Sequence, residues 1–488
     1  MKFLSKYKLE IVVFLCGAIG MGLEIVAARV LSPYVGSSNI VWTSIIGIIL
    51  VSMSLGYWIG GKKADQGATL EDISNVIFIA ALSTSLIPIL ETIMVREIAM
   101  YVKNLTIAAM ICAIVLFSMP SLILAMISPL AVKIKSEEEK RIGIVSGKIS
   151  SLSTIGSILG TFISGFVLIP NIGVRNINIG ITTILILLPI ILVDKIDKKF
   201  VKKMVILIAI CVPLMFLGKF LFNIANPEII LDKDSQYSRI WIKNIKVDDK
   251  EYKAMQVDRG LESHIDESTG KMGAKYLEYY DLFEYLNKDA KDTLMIGGAA
   301  YTYPIHYLNK YTDKTIDVVE IDPQMTKIAI SEFGLDINNP QIRIFHQDGR
   351  SFINYNNNKY DTILLDAFKG LNAPFELTTY EAMMNAKNML NENGMIITNI
   401  ISSLEGKDSK FIEYEYTTYK EVFDDVLLYK VKNKENTKVQ NIILIGIKGN
   451  PIKNENKRSE YQKYLDMEVK DYNSKKKIVT DDFAPIGN

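Results

Sequence analysis

The chain has 488 residues, room for two or three domains. Its net charge of +1 excludes a global electrostatic pull on nucleic acid. Three cysteines, all inside apolar segments, exclude a disulfide framework in the polar half, and with three unclustered histidines they argue against a protein-built zinc site, so no metal is expected.

Hydrophobic residues make up 49% of the chain and crowd into the part before residue 225. A bilayer-spanning helix needs about 20 apolar residues. Seven stretches qualify, at 9–31, 40–60, 73–92, 105–132, 149–169, 177–193 and 204–222. The first has basic flanks and no small-residue cleavage site, which reads as a retained span. The fourth carries Pro120 and Pro129 and is the candidate for a kinked or re-entrant segment. Gly17, Gly20, Gly22, Gly56, Gly60, Gly156 and Gly160 recur at helix-packing spacing and predict close helix approach. Glu24 is the membrane candidate, because a carboxylate inside an apolar span is costly and is by default functional; the bland alternative is a bond to a neighbouring helix.

Lysine and arginine are biased to one set of connections. Lys2, Lys6 and Lys8, then Lys62 and Lys63, then Lys133, Lys135, Lys140, Arg141 and Lys148, then Lys195, Lys198, Lys199, Lys202 and Lys203 alternate with connections poor in cations. The positive-inside rule places the amino terminus in the cytoplasm. An odd number of spans then leaves the polar half outside. A cell-membrane, multi-pass protein is expected, with the side of its polar half left open.

After residue 225 the pattern changes. Period-two stretches at 238–247 and 253–257 predict a small β-hairpin module over 225–272. Residues 273–287 read as an amphipathic helix with an aromatic face. Strands near 293–297, 315–321, 342–346, 361–366 and 395–401 then alternate with helices near 303–310, 323–333, 376–391 and 409–424. That alternation predicts a parallel α/β Rossmann-like sheet of the class I methyltransferase-like kind over 273–488. Two last strands, near 426–432 and 440–447, predict an antiparallel edge. Residues 1–224 are the all-α transmembrane bundle.

Ligands of such sheets sit at the carboxyl ends of the strands. Leu294-Met-Ile-Gly-Gly-Ala-Ala supplies Gly297 and Gly298 after the first strand, where missing side chains let a ligand approach the backbone. Val318-Val-Glu-Ile-Asp322 ends in Glu320, suited to both ribose hydroxyls. His346-Gln-Asp-Gly349 supplies Asp348 and Gly349 for an adenine amine. Tyr360-Asp-Thr-Ile-Leu-Leu-Asp366 places Asp366 over the reacting end. Each alone is weak, since a Gly-Gly turn or a strand-end Asp is more often a turn or a helix cap. The ordered set is the signal.

In that order these residues resemble the spermidine synthase (polyamine aminopropyltransferase) family, in particular its membrane-fused branch. The resemblance covers 232–485 and implies transfer of an aminopropyl group from decarboxylated S-adenosylmethionine to a small amine, leaving methylthioadenosine. It implies that Gln236, in Asp234-Ser-Gln-Tyr-Ser-Arg-Ile240, touches donor and amine. It further implies that Gly297, Gly298, Glu320, Asp348 and Gly349 hold the donor and that Asp366 takes the amine's proton. Tyr279 and Tyr280 stand at the family's Tyr-His pair, as substrate-binding candidates, and Pro374-Phe-Glu-Leu-Thr-Thr-Tyr380 matches the following loop and helix.

Three departures bear on the substrate. The acid expected for the donor's ammonium is Ala300, followed by Tyr301; the histidine of the pair is Tyr280; the second acid of the Asp-x-x-Asp loop is Lys369. A pocket for a doubly charged amine needs counter-charge, so putrescine is doubtful. Tyr276, Tyr279, Tyr280 and Phe368 offer cation–π compensation. Two other readings stay open: an S-adenosylmethionine methyltransferase, and a non-catalytic polyamine- or nucleoside-binding membrane carrier or sensor. The expected partners are the bilayer and an amine, with no nucleic acid, and a homodimer is open.

Overall fold

The computed structural model describes residues 2–193, 196–247, 249–367 and 375–485, with side chains from residue 7 onward. The sequence candidates Phe368, Lys369 and Pro374 lie outside the described residues. The chain divides into two compact units: 1–241 with 257–259, and 242–256 with 260–488.

The first unit contains six helices long and apolar enough to cross a membrane: Tyr7–Val35, Asn39–Asp65, Leu70–Tyr101, Leu105–Glu139, Ile142–Leu192 and Lys198–Ala225. Side-chain caps start several of them. Ser38 accepts from Val41 N, Asn104 from Ile107 N and Asp197 from Phe200 N, while Thr69 and Asp72 make a reciprocal capping box. The sequence separates spans at 149–169 and 177–193; the structure has a helical run there, Ile142–Leu192, that breaks at Gly173 with φ 77° and ψ 157°, where two helices meet at a kink. The doubted fourth span is accommodated in helix: π-turn geometry at Ile114–Ser118 precedes Pro120, and Pro129 stands in the first turn of the helix Ile127–Glu139, which begins after a break at Met126.

Close helix approach follows from small residues as expected. A Cβ on Gly156 would lie 2.0 Å from Phe14 O, and one on Gly56 would lie 2.1 Å from Leu122 O, so nothing larger than glycine fits either crossing. Gly20 differs: nothing lies within 4 Å of a Cβ there. Glu24 is buried, and its Oε2 makes no hydrogen bond.

Contacts at the helix ends define two faces of this unit. At one, Lys148 pairs with Glu10 at 2.9 Å, Lys8 reaches Leu192 O at 3.3 Å, and Lys203 pairs with Glu71 at 2.9 Å. At the other, Val174 N donates to Asp234 at 2.9 Å and Arg175 pairs with Asp232 at 3.4 Å. Arg239, 2% exposed, forks onto Asp232 and reaches Glu91 at 3.0 Å there. Fully buried charge is tolerable only with such pairing.

Four strands, β1 (Ile229–Asp234), β2 (Arg239–Val247), β3 (Lys250–Val257) and β4 (Gly260–Asp266), form a sheet in chain order. The sequence showed only β2 and β3 of these. The segment expected as an amphipathic helix is instead a 3₁₀ stretch, Lys275–Leu282, followed by a short α-turn, Phe283–Leu286. Its aromatic residues pack inward all the same.

The second unit is built on a seven-stranded sheet. Its members are β5 (Asp292–Ile296), β6 (Thr315–Val319), β7 (Ile342–Phe345), β8 (Tyr360–Leu365), β9 (Leu390–Ser402), β10 (Asp425–Lys430) and β11 (Gln440–Ile447), in the order β10-β11-β9-β8-β5-β6-β7. The five strands from β9 to β7 pair in parallel, and β11 and β10 complete an antiparallel edge, as expected. Helices on both faces explain why the strands read as continuous apolar runs. Register brings Ile296 level with Val319 and Leu365, and Val319 level with Phe345. The residues following these four, Gly297, Glu320, His346 and Asp366, therefore share one edge of the sheet.

Candidate active site at the carboxyl edge of the sheet

The glycine loop is built by unusual backbone. Gly297 has φ 96°, and a Cβ there would lie 2.3 Å from Asp366 O, so the close passage of β5's exit past β8's exit demands glycine. Ala299 and Tyr301 also adopt positive φ, 45° and 56°, without being glycine. Such conformations cost about 1–2 kcal/mol each for L-residues and concentrate where a loop serves a site. Ala300 is fully buried. The Tyr301 ring packs against Gly298, and its hydroxyl bonds Thr326 Oγ1 at 2.7 Å, which in turn bonds His346 Nε2 at 2.9 Å. Three strand exits are thereby tied together by residues the sequence reading did not select.

Glu320, 7% exposed, turns back onto that loop. Its Oε2 accepts from Gly298 N at 2.9 Å and Ala299 N at 3.0 Å, and its Oε1 accepts from Asp322 N at 2.9 Å. Burial raises its pKa, and the three backbone donors oppose the rise. A carboxylate has about four acceptor positions, so one, on Oε1, remains for a ligand hydroxyl.

Asp348 is exposed and caps the helix Gly349–Tyr355 by accepting from Ser351 N at 2.8 Å. Gly349 is needed sterically, since a Cβ would lie 2.8 Å from Ile296 Cγ2. Both flank the edge next to Glu320's strand.

Asp366 is half-buried and held by neutral groups. Tyr276 Oη donates to Oδ2 at 3.0 Å and Asn399 Nδ2 donates to Oδ1 at 3.3 Å. Asn441 fixes the Asn399 amide by donating to its Oδ1 at 3.0 Å. Tyr280 is fully buried, and burial first and then the charge of Asp366 hold its phenol protonated. Burial raises the Asp366 pKa, with Asn399, Tyr276 and Tyr280 pulling it down. The result is a polarised carboxyl at the sheet edge able to exchange a proton.

Tyr279 points elsewhere. Its hydroxyl donates to Lys430 O at 2.9 Å, and its ring packs edge-on against Tyr464 at 4.8 Å. Tyr276, three positions earlier, takes the place beside Asp366. Gln236 belongs to the first unit, where it is exposed and its carbonyl accepts from Arg29. Asn399, 4% exposed, had a legible signal: an amide inside the apolar run Ile396-Ile-Thr-Asn-Ile-Ile. Among the described residues no group of three His, Cys, Asp or Glu side chains could hold a metal ion.

Part of the second unit is similar in sequence to known proteins. Residues 282–438 match the spermine/spermidine synthase domain model. A polyamine aminopropyltransferase of Vibrio vulnificus is 31% identical over 156 residues, covering 31% of this chain and 50% of that protein. Polyamine aminopropyltransferase 2 of Aquifex aeolicus is 23% identical over 413 residues, 80% of this chain and 78% of that one. Spermidine synthase of Thermotoga maritima aligns in structure with TM-score 0.38 and 16% identity, covering 52% of this chain and 82% of the other. Against curated relatives such as the Vibrio protein, the chain spans about half their length. The glycine loop, Glu320 and Asp366 lie on one sheet edge inside residues 282–438, the part of the second unit that is similar to the spermine/spermidine synthase domain.

Proposed function

We propose that the second unit transfers an aminopropyl group from decarboxylated S-adenosylmethionine to an amine, in a protein held in the cell membrane by its first unit. The observation that carries this reading is Asp366, oriented by Tyr276 and Asn399 on the same edge as the glycine loop and Glu320. Glu320 and the loop would hold the ribose, and Asp348 the adenine. The amine's lone pair attacks the propyl carbon next to sulfur, the C–S bond breaks, and its electrons return to sulfur as neutral methylthioadenosine. The proton shed by the amine passes to Asp366. Because a sulfonium is already activated, the remaining catalytic contribution is alignment.

The fit to the donor is partial. Glu320 suits a ribose hydroxyl, whereas the place expected to neutralise the donor's ammonium is the buried Ala300. Calorimetric titration of the detergent-solubilised protein with S-adenosylmethionine, its decarboxylated form and methylthioadenosine tests the reading. Preference for the decarboxylated donor supports it; preference for the carboxylated donor replaces it with methyl transfer.

A second reading, a non-catalytic nucleoside or polyamine sensor, is favoured by the helix-end contacts. Residues 148 and 192 lie at the lysine-rich face and residues 174 and 175 at the opposite one. The Ile142–Leu192 helix then folds back at Gly173 and crosses twice, making seven crossings. By the positive-inside rule the chain leaves the bundle, after Ala225, on the extracytoplasmic side, away from cytosolic donor.

A further inference from the structure

The first unit contains a cleft among the spans Asn39–Asp65, Leu105–Glu139 and Ile142–Leu192. Its volume is about 630 Å³, and Gly61, Asp65, Lys133, Ser146, Ser150 and Thr154 line it. These residues stand near the lysine-rich ends of the three helices, so the cleft opens on that face. Tyr57, Ser128 and Ser153 also line a smaller cavity of about 40 Å³ further in, which the first span closes with Cys16, Gly17 and Gly20. That is room for a group of water or ammonium size. The inner cavity is polar where a lipid-embedded bundle is usually not. Ser121 lines it and is 3% exposed, and among the described residues the hydroxyls of Ser121, Ser128 and Ser153 make no hydrogen bond. Ser157 donates to Gly17 O at 3.2 Å and keeps its acceptor positions. Buried hydroxyls without partners are unfavourable, so the cavity is built for a polar guest.

Helix geometry adds a carboxylate. Val13, Cys16, Gly17, Gly20 and Glu24 recur every three or four positions and share one face of the first span, and the first four line the inner cavity. A helical side chain leans over the turn before it, which carries Glu24 back toward Gly20. At Gly20 nothing lies within 4 Å of a Cβ, so the space is there to receive it. Glu24 is 7% exposed, and its Oε2 makes no hydrogen bond among the described residues. Arg29, the next cation along that helix, donates to Gln236 O. A carboxylate so placed is unfavourable until a cation joins it.

We propose that the first unit binds a small primary alkylammonium ion. Glu24 supplies the counter-charge, Ser121, Ser128 and Ser153 accept its N–H groups, and its alkyl chain lies in the outer cleft against Pro129, Val132 and Ile142. A primary ammonium has three donors and no acceptor, which matches a set of hydroxyl and carboxylate oxygens. This site lies within residues 13–157 and does not depend on the aminopropyl-transfer reading.

The test is calorimetric titration of the full-length protein in detergent with n-butylammonium chloride, n-butanol and sodium chloride. All samples carry Asp366→Asn, so that an amine site at the sheet edge does not contribute. The alkylammonium should bind at least about tenfold more tightly than the alcohol of the same shape or the inorganic cation of the same charge. Adding Glu24→Gln should weaken it about 10- to 100-fold, the loss of hydrogen bonding to a charged group, and adding Ser121→Ala about threefold. Gly20→Val fills the space beside Glu24 and should abolish binding with the melting temperature unchanged, which keeps the test decisive if Glu24→Gln fails to fold. Absence of alkylammonium binding, equal binding of n-butanol or sodium, or binding that survives Glu24→Gln or Gly20→Val overturns the proposal. None of these outcomes bears on the adenosyl donor, whose titration tests the second unit separately.

Discussion

Tyr276 donates a 3.0 Å hydrogen bond to Asp366 across 90 positions of sequence. It joins the approach segment before β5 to the exit of β8 and bears on the carboxyl that the proposed transfer uses as its proton acceptor. Asp366→Asn should reduce turnover about 10²- to 10⁴-fold, the usual contribution of a positioned base. Tyr276→Phe removes a bond to a charged acceptor and should cost about 10- to 100-fold. The pH profile carries the sign. In the proposed transfer Asp366 works as the carboxylate, so activity should be lost as pH falls through its raised pKa; Tyr276 lowers that pKa. The acidic limb of kcat/KM in Tyr276→Phe should therefore move to higher pH, and an unmoved limb would detach Tyr276 from the mechanism.

Glu320 offers its remaining acceptor position while three backbone donors hold it. Glu320→Gln keeps the shape but aims an amide N–H at donors. Affinity for methylthioadenosine should fall about 10- to 100-fold, the loss of hydrogen bonds to a charged group. Calorimetry on the variant checks this, and unchanged affinity would place the ribose elsewhere.

The glycine loop makes opposite predictions for neighbouring residues. Gly297→Ala forces a Cβ to 2.3 Å from Asp366 O at positive φ and should destabilise by about 2 kcal/mol or more. Ala299→Gly relieves a non-glycine residue at φ 45° and should stabilise by about 1 kcal/mol. Thermal unfolding in detergent measures both, and a destabilised Ala299→Gly would mean that the Ala299 methyl packs better than the backbone strain costs.

Topology is open to direct measurement. The paired contacts Lys8 with Leu192 and Glu10 with Lys148 set one face of the first unit; Arg175 with Asp232 sets the other. Single cysteines introduced near Lys63 and in the surface segment near Asn450, in a background lacking Cys16, Cys112 and Cys211, should be labelled by an impermeant maleimide from opposite sides. Labelling of Asn450→Cys on intact cells supports the sensor reading. Labelling only after lysis means that the chain does not recross at Gly173, and it restores access to cytosolic donor.

Much of this was readable before any coordinates. Apolar runs of bilayer length, strands alternating with helices, and small or acidic residues at strand ends are local patterns, so Gly297, Glu320, Asp348 and Asp366 could be placed in order from sequence alone. The glycines at helix crossings followed the same logic. What the pattern could not supply was direction. Tyr279 and Tyr276 differ by three positions on one short 3₁₀ segment, where residues three apart share a face, and only the tertiary surroundings give Tyr276 to Asp366 and Tyr279 to Lys430.

The sequence alone determined the bilayer-length apolar segments, the parallel sheet and the acids along its edge, because a long apolar helix or a buried strand leaves a trace in composition. Tertiary structure decided which side chains surround Asp366, how many acceptor positions Glu320 keeps, and that the long Ile142–Leu192 helix breaks at Gly173. These depend on contacts between residues far apart in the chain and on single backbone dihedrals. Neither leaves a repeating pattern, so neither could be read until the strands were in register.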